Sequence, residues 1–508
     1  MSQAASAVKA PPVPETPAAA GTPAAAAKPA QPRRLAINFL YLSCGESFAK
    51  LLTFASFSYM ARTLGPWNYG IVEFTLALMV FFTLPVDLGL GSYGAREIAR
   101  NPQNAGRLLH EITGLRLALA LCSMAALGLF VALLPKSIEV KLLLLLYGLS
   151  LLGGPFLLQW FFQAHDQMHW VGVATIVRQS FFALMVFAIC RKGAPLIYIG
   201  LAECLSVAAV ATFCVYVARH RMHYEWPWPE MRISRLTGHL REAYPIGLTE
   251  LCWAFMWYFC TVLLGFVFAD RSLGWFGASH RALMALHTFV WLYFFNLLPS
   301  ISRCVAAPRQ HLLDLMDHSI RFAAWTGLFA AGILTTIAPL LLSLLYGPAF
   351  RAAASSFGVL AWMLPVAMLS GHHRYILIAY NQQKTLLACT AASAVAAVLL
   401  GFMLVPLYGG VGAAWALLAA NAINLALVYY AVSRLVTKIA VGRQLVTPLC
   451  ALAVAAGLYA SLVGWNIWLA VLAGSGVYLA VLLWADGRRL ASFLQAMSRK
   501  PALESRAA

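Results

Sequence analysis

The chain has 508 residues, of which 61% are hydrophobic and 11% are charged. Soluble domains average about 45–50% apolar and about 25% charged residues. Because so apolar a chain cannot cover its own surface with polar side chains, the composition excludes a water-soluble globule. Lys and Arg outnumber Asp and Glu by 36 to 18, which gives a net charge of +18. These cations lie mostly in short polar gaps between apolar runs, so they indicate membrane topology and no nucleic-acid binding is expected.

The first 34 residues are rich in Ala and Pro and carry few charges. No apolar core precedes a cleavage-like site, so the segment lacks the pattern of a secretory signal. The composition predicts a disordered cytosolic tail at 1–34, which ends in the basic pair Arg33 and Arg34.

Apolar runs of about 20 residues, the length that crosses the hydrocarbon core, recur along nearly the whole chain. The predicted spans are 36–60, 68–90, 112–134, 141–162, 170–190, 195–218, 244–268, 274–298, 321–346, 353–379, 385–406, 410–433, 445–463 and 465–484. The sequence therefore predicts an all-α polytopic membrane protein with about 14 transmembrane helices.

The loop cations predict the orientation of these spans. The gaps on the same side as the two termini hold 23 Lys and Arg residues, whereas the gaps on the opposite side hold seven. Since cytoplasmic loops carry the excess of Lys and Arg, both termini are predicted to be cytoplasmic.

A short sequence echo links two distant parts of the chain. Ala61–Gly65 reads ARTLG, and Asp270–Gly274 reads DRSLG 209 residues later. Tyr69–Gly70 follows the first copy, and Phe276–Gly277 follows the second. Both copies join the first and second spans of a six-span block, so the two blocks have the same orientation.

The echo predicts a chain built from two six-helix bundles in parallel orientation. The N-terminal bundle covers 35–218, a basic cytoplasmic linker covers 219–243, and the C-terminal bundle covers 244–433. Two extra helices at 445–484 lie outside the repeat, and 485–508 forms a cytosolic tail. Alternating-access transporters with related halves bind their substrate between those halves.

The sequence lacks the motifs of common enzyme active sites. It contains no G-x-x-x-x-G-K-[ST], H-E-x-x-H or G-x-S-x-G pattern, and its gaps are too short for an extramembrane catalytic domain. Its ten cysteines form no C-x-x-C pair, so no disulfide framework and no metal site are indicated. We therefore expect a transporter without a catalytic residue.

Several charged side chains fall inside the predicted spans, where insertion costs on the order of 2.5–3.5 kcal/mol each. Glu46 and Lys50 are one helical turn apart in span 1. Two interpretations are open: the two neutralise each other, or they belong to a polar stripe that lines a cavity, with Lys50 meeting a substrate phosphate.

Span 8 carries a further cation and two histidines. Arg281 has no carboxylate at i±3 or i±4, and the planar fork of its guanidinium suits a diphosphate ligand. If another span supplies an acid, Glu250 in span 7 is the best candidate, either as a partner of Arg281 or for proton coupling. His280 and His287 share one face and are either packed aromatics or a proton relay.

Three more cations are candidates for contact with the substrate: Arg116, Arg178 and Arg374. Arg116 and Arg178 either line the cavity, pair with Glu111 or an acid of another span, or extend to the cytoplasmic interface. Arg374 follows two histidines near the cytoplasmic end of span 10. Asp87 is expected to cap the turn after span 2.

A series of short motifs follows a defined order over roughly residues 35–440. Besides Asn38 and Lys50, the motifs are Ala61–Gly70, Asp87–Leu90, Arg96–Arg100, Trp160–Met168, Gly274–Arg281, Leu298–Ser300, Leu345–Gly347 and Val405–Ala414. In order and spacing they resemble the polysaccharide-transport (Wzx-like) oligosaccharide flippases of the multidrug/oligosaccharidyl-lipid/polysaccharide exporter superfamily. Ala164 stands where that family usually has Gly.

The resemblance implies a function in surface polysaccharide biosynthesis. The implied activity is translocation of polyprenyl-diphosphate-linked oligosaccharide repeat units across the bacterial inner membrane by alternating access. It places Lys50 and Arg281 on basic positions of the family pattern. The implied partners are the lipid-linked glycan and membrane lipids, with polysaccharide polymerase machinery as a further candidate. No cofactor is expected, and coupling to a proton gradient, a sodium gradient or the membrane potential stays open.

Three alternatives remain open at the level of sequence. A multidrug or cation antiporter of the same superfamily would need an acidic cavity, which the intramembrane cations disfavour. A lipid II flippase would carry a similar cargo. A membrane-embedded glycan polymerase or ligase usually has a large external loop, and this sequence predicts none.

Overall fold

The computed structural model describes residues 32–226, 229, 233–268 and 271–498, with side chains at 45–226, 229, 237–268 and 271–487. These residues are almost entirely helical and form no strand. The α-helices are α1 (Pro32–Asp87), α2 (Leu90–Arg100), α3 (Ala105–Leu133), α4 (Ile138–Leu149), α5 (Gln159–Ala164), α6 (Met168–Ile189), α7 (Ile197–His220), α8 (Ile233–Val267), α9 (Ser272–Cys304), α10 (Arg309–Tyr346), α11 (Ala354–Ala361), α12 (Met363–Ala379), α13 (Gln383–Leu435), α14 (Val441–Leu462) and α15 (Ile467–Ser498).

Within the described residues, 12 helical segments are long and apolar enough to cross a membrane. The all-α polytopic fold predicted from the sequence is therefore confirmed. Helices α1 and α13 have 56 and 53 residues. A straight helix of that length would measure about 80 Å, whereas the hydrocarbon core is about 30 Å thick. Each of the two helices must therefore reverse direction.

Both long helices are interrupted at a glycine. Gly65 has φ 71° and ψ 172°, and Gly409 has φ 56° and ψ −132°. Only glycine adopts such a positive φ without a steric cost. Phe54 and Tyr69 both contact Tyr346, with ring centroids 6.1 and 6.4 Å away, although a straight helix would separate them by about 22 Å. Counted as two spans each, the long helices bring the total to fourteen, which stays a prediction.

The two copies of the sequence echo pack against each other. A Cβ atom on Gly274 would overlap the backbone carbonyl of Pro66, and one on Gly70 would lie 2.8 Å from the backbone nitrogen of Gly274. One turn further along α9, Gly277 packs on the side chain of Glu73. These glycines let α1 and α9, which belong to different predicted bundles, approach backbone to backbone.

Further contacts join the two predicted bundles near the echo motifs. The guanidinium of Arg62 donates hydrogen bonds to the backbone carbonyls of Leu344 and Leu345. The ammonium of Lys136 donates to the carbonyl of Gly265 at 2.8 Å. In the topology predicted from the loop charges, these contacts lie at the external end of the protein.

The Trp160–Met168 motif packs at the opposite end of the N-terminal bundle. The indole of Trp160 lies against Gly94 of α2. The Nε2 atom of His165 is 2.9 Å from the hydroxyl of Tyr224, which follows α7. The motif therefore fixes the start of the predicted linker against the bundle.

The C-terminal helix α15 is attached to α10 through one buried carboxylate. Asp486 is 5% exposed and accepts hydrogen bonds from Arg321 at 2.6 Å and from the Trp325 indole at 2.8 Å. The hydroxyl of Tyr478 donates to the carbonyl of Trp325 at 2.9 Å. Helix α15 continues to Ser498, past the predicted end of the last span at 484.

We expect Asp486→Asn to lower the free energy of unfolding by about 3–5 kcal/mol, because it leaves Arg321, whose side chain is only 18% exposed, without its counter-charge. Thermal unfolding of the purified protein in detergent measures this loss. Asp314→Asn is the matched control, since that carboxylate is exposed and accepts a hydrogen bond from Gln310, and it should cost less than about 0.5 kcal/mol. Equal melting temperatures for the two variants would contradict this role of Asp486.

Parts of four predicted segments lie outside the described residues. They are positions 1–31 of the N-terminal tail, positions 227–228 and 230–232 of the basic linker, positions 269–270 of the C-terminal bundle, which include Asp270 of the second echo copy, and positions 499–508 of the C-terminal tail.

Candidate functional site

The five cations predicted to contact the substrate fall into two groups. Arg281, Arg116 and Arg178 each form an ion pair with a carboxylate. Lys50 and Arg374 are exposed and form neither an ion pair nor a hydrogen bond with any other described residue. The structure therefore separates cations that are already neutralised from cations that are available to a ligand.

Arg281 is held by Glu73 through two hydrogen bonds. The Nε atom is 2.7 Å from Oε1, and the second nitrogen is 2.9 Å from Oε2. The guanidinium lies over the ring of Phe57, 3.5 Å from its centroid. The partner of Arg281 is therefore Glu73 and not the predicted Glu250. Glu250 is exposed and forms no ion pair with any described residue. The reversal of α1 brings Glu73 and Phe57, 16 positions apart, onto the same guanidinium.

Buried polar groups without a hydrogen-bond partner surround this ion pair. Tyr69 and Tyr346 are 0% and 1% exposed. Their hydroxyls are near enough to the pair for both of its charges to act on them. The hydroxyl of Tyr346 and Nε2 of His280 have no hydrogen-bond partner among the described residues, whereas the hydroxyl of Tyr69 lies beside the Glu73 carboxylate. The pair thus lies in a buried polar pocket whose hydrogen-bonding capacity is not fully used.

The two histidines of span 8 are packed among aromatic rings. The ring of His280 stacks on Phe276 at 5.9 Å, and the ring of His287 meets Trp257 edge-on at 4.9 Å. This packing agrees with one of the two interpretations that the sequence left open. A proton relay through His280 and His287 stays a prediction.

Arg116 fixes the turn at the end of α1. It forms an ion pair with Asp87, whose carboxylate also accepts the backbone N–H of Gly91 at 3.2 Å. Asp87 therefore caps the turn as predicted. It is also the partner of Arg116, so of the predicted alternatives the acid of another span is confirmed and not Glu111. Glu111 is 1% exposed and lies 2.9 Å from Nε2 of His239, a residue of α8.

Arg178 lies within the N-terminal bundle and remains partly accessible. Its guanidinium is 2.7 Å from Glu203, and 39% of its side chain is exposed. The next residue of α6, Gln179, accepts a hydrogen bond from the hydroxyl of Thr53 at 2.9 Å. A polar strip therefore connects α1, α6 and α7.

Lys50 and Arg374 lie at comparable depths on the two predicted bundles. Lys50 is 15 residues before the reversal at Gly65, about 22 Å along α1, and Arg374 is five residues before the end of α12, about 8 Å. With a hydrocarbon core about 30 Å thick, both positions fall in the half of the membrane away from the echo motifs. The predicted mutual neutralisation of Glu46 and Lys50 is absent, since no ion pair joins them. Helix α12, which carries Arg374, packs on α9, the helix of His287.

Sequence reasoning did not assign Glu73 a role, although a signal was present. Glu73 stands three residues after Gly70, and Arg281 stands four residues after Gly277. Gly70 and Gly277 are the glycines that the repeat already matched. Opposite charges that follow matching glycines by about one turn indicate that the two helices pack against each other at the height of these charges.

The fold and the site together define a polytopic membrane transporter whose helices meet through glycines and intramembrane charges. The chain belongs to the polysaccharide biosynthesis protein family, whose model matches residues 35–305. Family and relatives place it among transporters and not among enzymes.

Three similar proteins illustrate this assignment. A candidate O-antigen transporter of Escherichia coli (strain K12) is 21% identical over 389 residues, which cover 75% of this chain and 92% of that protein. The structure of the lipid II flippase MurJ in its inward closed conformation has a TM-score of 0.70 at 16% identity and covers 89% of this chain and 100% of that one. The structure of an inward-facing multidrug resistance transporter of the MATE family has a TM-score of 0.64 at 14% identity. The match covers 77% of this chain and 96% of that one.

Proposed function

We propose that the protein is a flippase that moves oligosaccharide repeat units, linked to a polyprenyl diphosphate, across the bacterial inner membrane for surface polysaccharide biosynthesis. Membership of the polysaccharide biosynthesis family and the similarity to a candidate O-antigen transporter support a glycan cargo. The observation that carries the proposal is the position of Lys50 and Arg374. These two exposed cations lie at membrane depth on opposite predicted bundles and have no carboxylate partner among the described residues.

A diphosphate is the part of such a cargo that requires these cations. An isolated charge in hydrocarbon is costly, so a cation at membrane depth normally faces a cavity or an anion. Lys50 and Arg374 would bind the phosphates through charge-assisted hydrogen bonds, while the polyprenyl chain stays in the lipid. No covalent bond changes, so no catalytic residue is needed. The same cations disfavour the positively charged substrates of a cation antiporter.

We further propose that the external end of the protein is closed in the described conformation. The contact of Gly70 with Gly274 and the hydrogen bond of Lys136 would close the external end. Lys50 and Arg374 lie on the cytoplasmic side of that closure in the topology that the loop charges predict, with both termini in the cytoplasm. The two similar solved structures in inward conformations support this assignment.

Deletion of the gene should remove surface polysaccharide and leave cell-wall synthesis intact. Lipid-linked repeat units should then accumulate in the inner membrane, where mass spectrometry of extracted lipids detects them, and a plasmid copy of the gene should restore export. Lysis with accumulation of lipid II would contradict the repeat-unit cargo and favour a lipid II flippase. Accumulation of short surface glycans, with export intact, would favour a polymerase.

A further inference from the structure

The ion pair between Glu73 and Arg281 joins the two predicted bundles close to the echo motifs. We infer that Glu73 is an internal counter-ion, which holds Arg281 in the unloaded transporter and is displaced by a phosphate of the cargo. The inference rests on the proposed function, because that function supplies the phosphate.

The geometry of the pair matches the geometry of phosphate binding. Two nitrogens of Arg281 contact two oxygens of one carboxylate at 2.7 and 2.9 Å. A phosphate offers two oxygens to the same fork, so it can replace the carboxylate without a rearrangement of the guanidinium. The ring of Phe57, 3.5 Å away, keeps the guanidinium plane in place during such an exchange. Arg281 is the more exposed partner of the pair, with 24% of its side chain exposed against 5% for Glu73.

The position of the pair along the two helices predicts the order in which the cargo meets the cations. Glu73 is eight residues beyond Gly65 and Arg281 seven beyond Gly274, so both lie about 10–12 Å along their helices from the echo motifs. A cargo that enters from the cytoplasm reaches Lys50 and the other bundle first and Arg281 afterwards. Loss of the Glu73 contact at that stage removes a bond between α1 and α9, next to their glycine contact.

The buried hydroxyls beside the pair give the displaced carboxylate new partners. The hydroxyl of Tyr346 has no hydrogen-bond partner in the described part of the chain, and the hydroxyl of Tyr69, one turn before Glu73 on α1, lies beside the Glu73 carboxylate. A carboxylate that leaves Arg281 can accept hydrogen bonds from them and avoid the cost of an unsatisfied buried charge. Unused donors next to an ion pair are expected if the carboxylate has two positions.

Binding of a sugar-free isoprenoid diphosphate to the purified full-length protein tests the inference. Farnesyl diphosphate is titrated into the wild type, Glu73→Gln, Arg281→Gln and the double variant in detergent, and farnesol measures binding of the chain alone. We expect Glu73→Gln to bind farnesyl diphosphate at least about tenfold more tightly than the wild type, because the competing carboxylate is gone. The gain should disappear when Arg281→Gln is added.

Two controls keep the result decisive. Asp486→Asn removes the carboxylate of another ion pair, that with Arg321, from a position beyond both predicted bundles, and should leave the affinity for farnesyl diphosphate unchanged. Glu73→Asp keeps the charge on a shorter side chain, which cannot make both contacts, and should bind with an intermediate affinity even if Glu73→Gln does not fold.

The outcomes separate the counter-ion from the proposed function. If the wild type binds farnesyl diphosphate more tightly than farnesol, but neither Glu73 variant binds it more tightly than the wild type, the counter-ion inference is wrong and the proposed function is unaffected. If the wild type shows no preference for the diphosphate over farnesol, the proposed function fails.

Discussion

Replacement of both Lys50 and Arg374 with alanine is expected to abolish export of surface glycan, while the protein stays in the membrane at its normal level. A hydrogen bond to a charged group contributes about 1.5–3 kcal/mol, so the loss of both cations should weaken cargo binding on the order of 10²- to 10⁴-fold. Surface polysaccharide in a deletion strain that carries the variant measures export, and an immunoblot of the membrane fraction measures the protein level.

Conservative and distant substitutions serve as controls for this experiment. Lys50→Arg and Arg374→Lys keep the positive charge and should retain most of the export. Lys384→Ala removes an exposed cation at the start of α13 and should have no effect. Full complementation by the Lys50→Ala/Arg374→Ala double variant would contradict the role of these two cations.

The substitution Gly274→Leu should also eliminate export, for a steric reason. The added side chain would overlap the backbone carbonyl of Pro66, and a backbone atom cannot move aside as a flexible side chain can. Overpacking of this kind costs about 1–3 kcal/mol or more, and here it separates α1 from α9 at the contact between the bundles. We expect export to fall below about a tenth of the wild-type level and the melting temperature to drop.

Gly457→Leu is the matched control for Gly274→Leu. Gly457 lies in α14, and a Cβ atom added there would have no neighbour within 4 Å. This variant should export glycan and unfold like the wild type. Normal export by Gly274→Leu would show that the two bundles do not need this contact.

The topology could be predicted because it depends on local features of the chain. Apolar runs of about 20 residues mark membrane helices whatever their neighbours are. Gly65 and Gly409 lie between consecutive predicted spans, so even the points of reversal follow from the pattern. The ends of the helices were harder to predict. Helix α15 continues to Ser498 because nothing in its sequence ends the helix at the membrane surface.

The partners of the buried charges could not be predicted, because they come from distant positions. Glu73 and Arg281 are 208 residues apart, and their contact depends on how α1 reverses and how α9 packs on it. For Arg116 the sequence left open Glu111 on its own helix or an acid of another span, and the structure joins it to Asp87 of α1. The sequence indicated which cations lie inside the membrane. Only the fold showed which of them pair with a carboxylate and that Lys50 and Arg374 have no such partner among the described residues.

Transport in a reconstituted system tests the central claim most directly. Purified protein is inserted into vesicles with a fluorescent polyprenyl-diphosphate oligosaccharide, and a membrane-impermeant quencher reports how much of the label faces outward. We predict that vesicles with the wild type exchange the labelled lipid between leaflets within minutes, whereas vesicles with Lys50→Ala/Arg374→Ala exchange it no faster than protein-free vesicles. Wild-type vesicles that match protein-free vesicles, or a double variant that matches the wild type, would contradict the account.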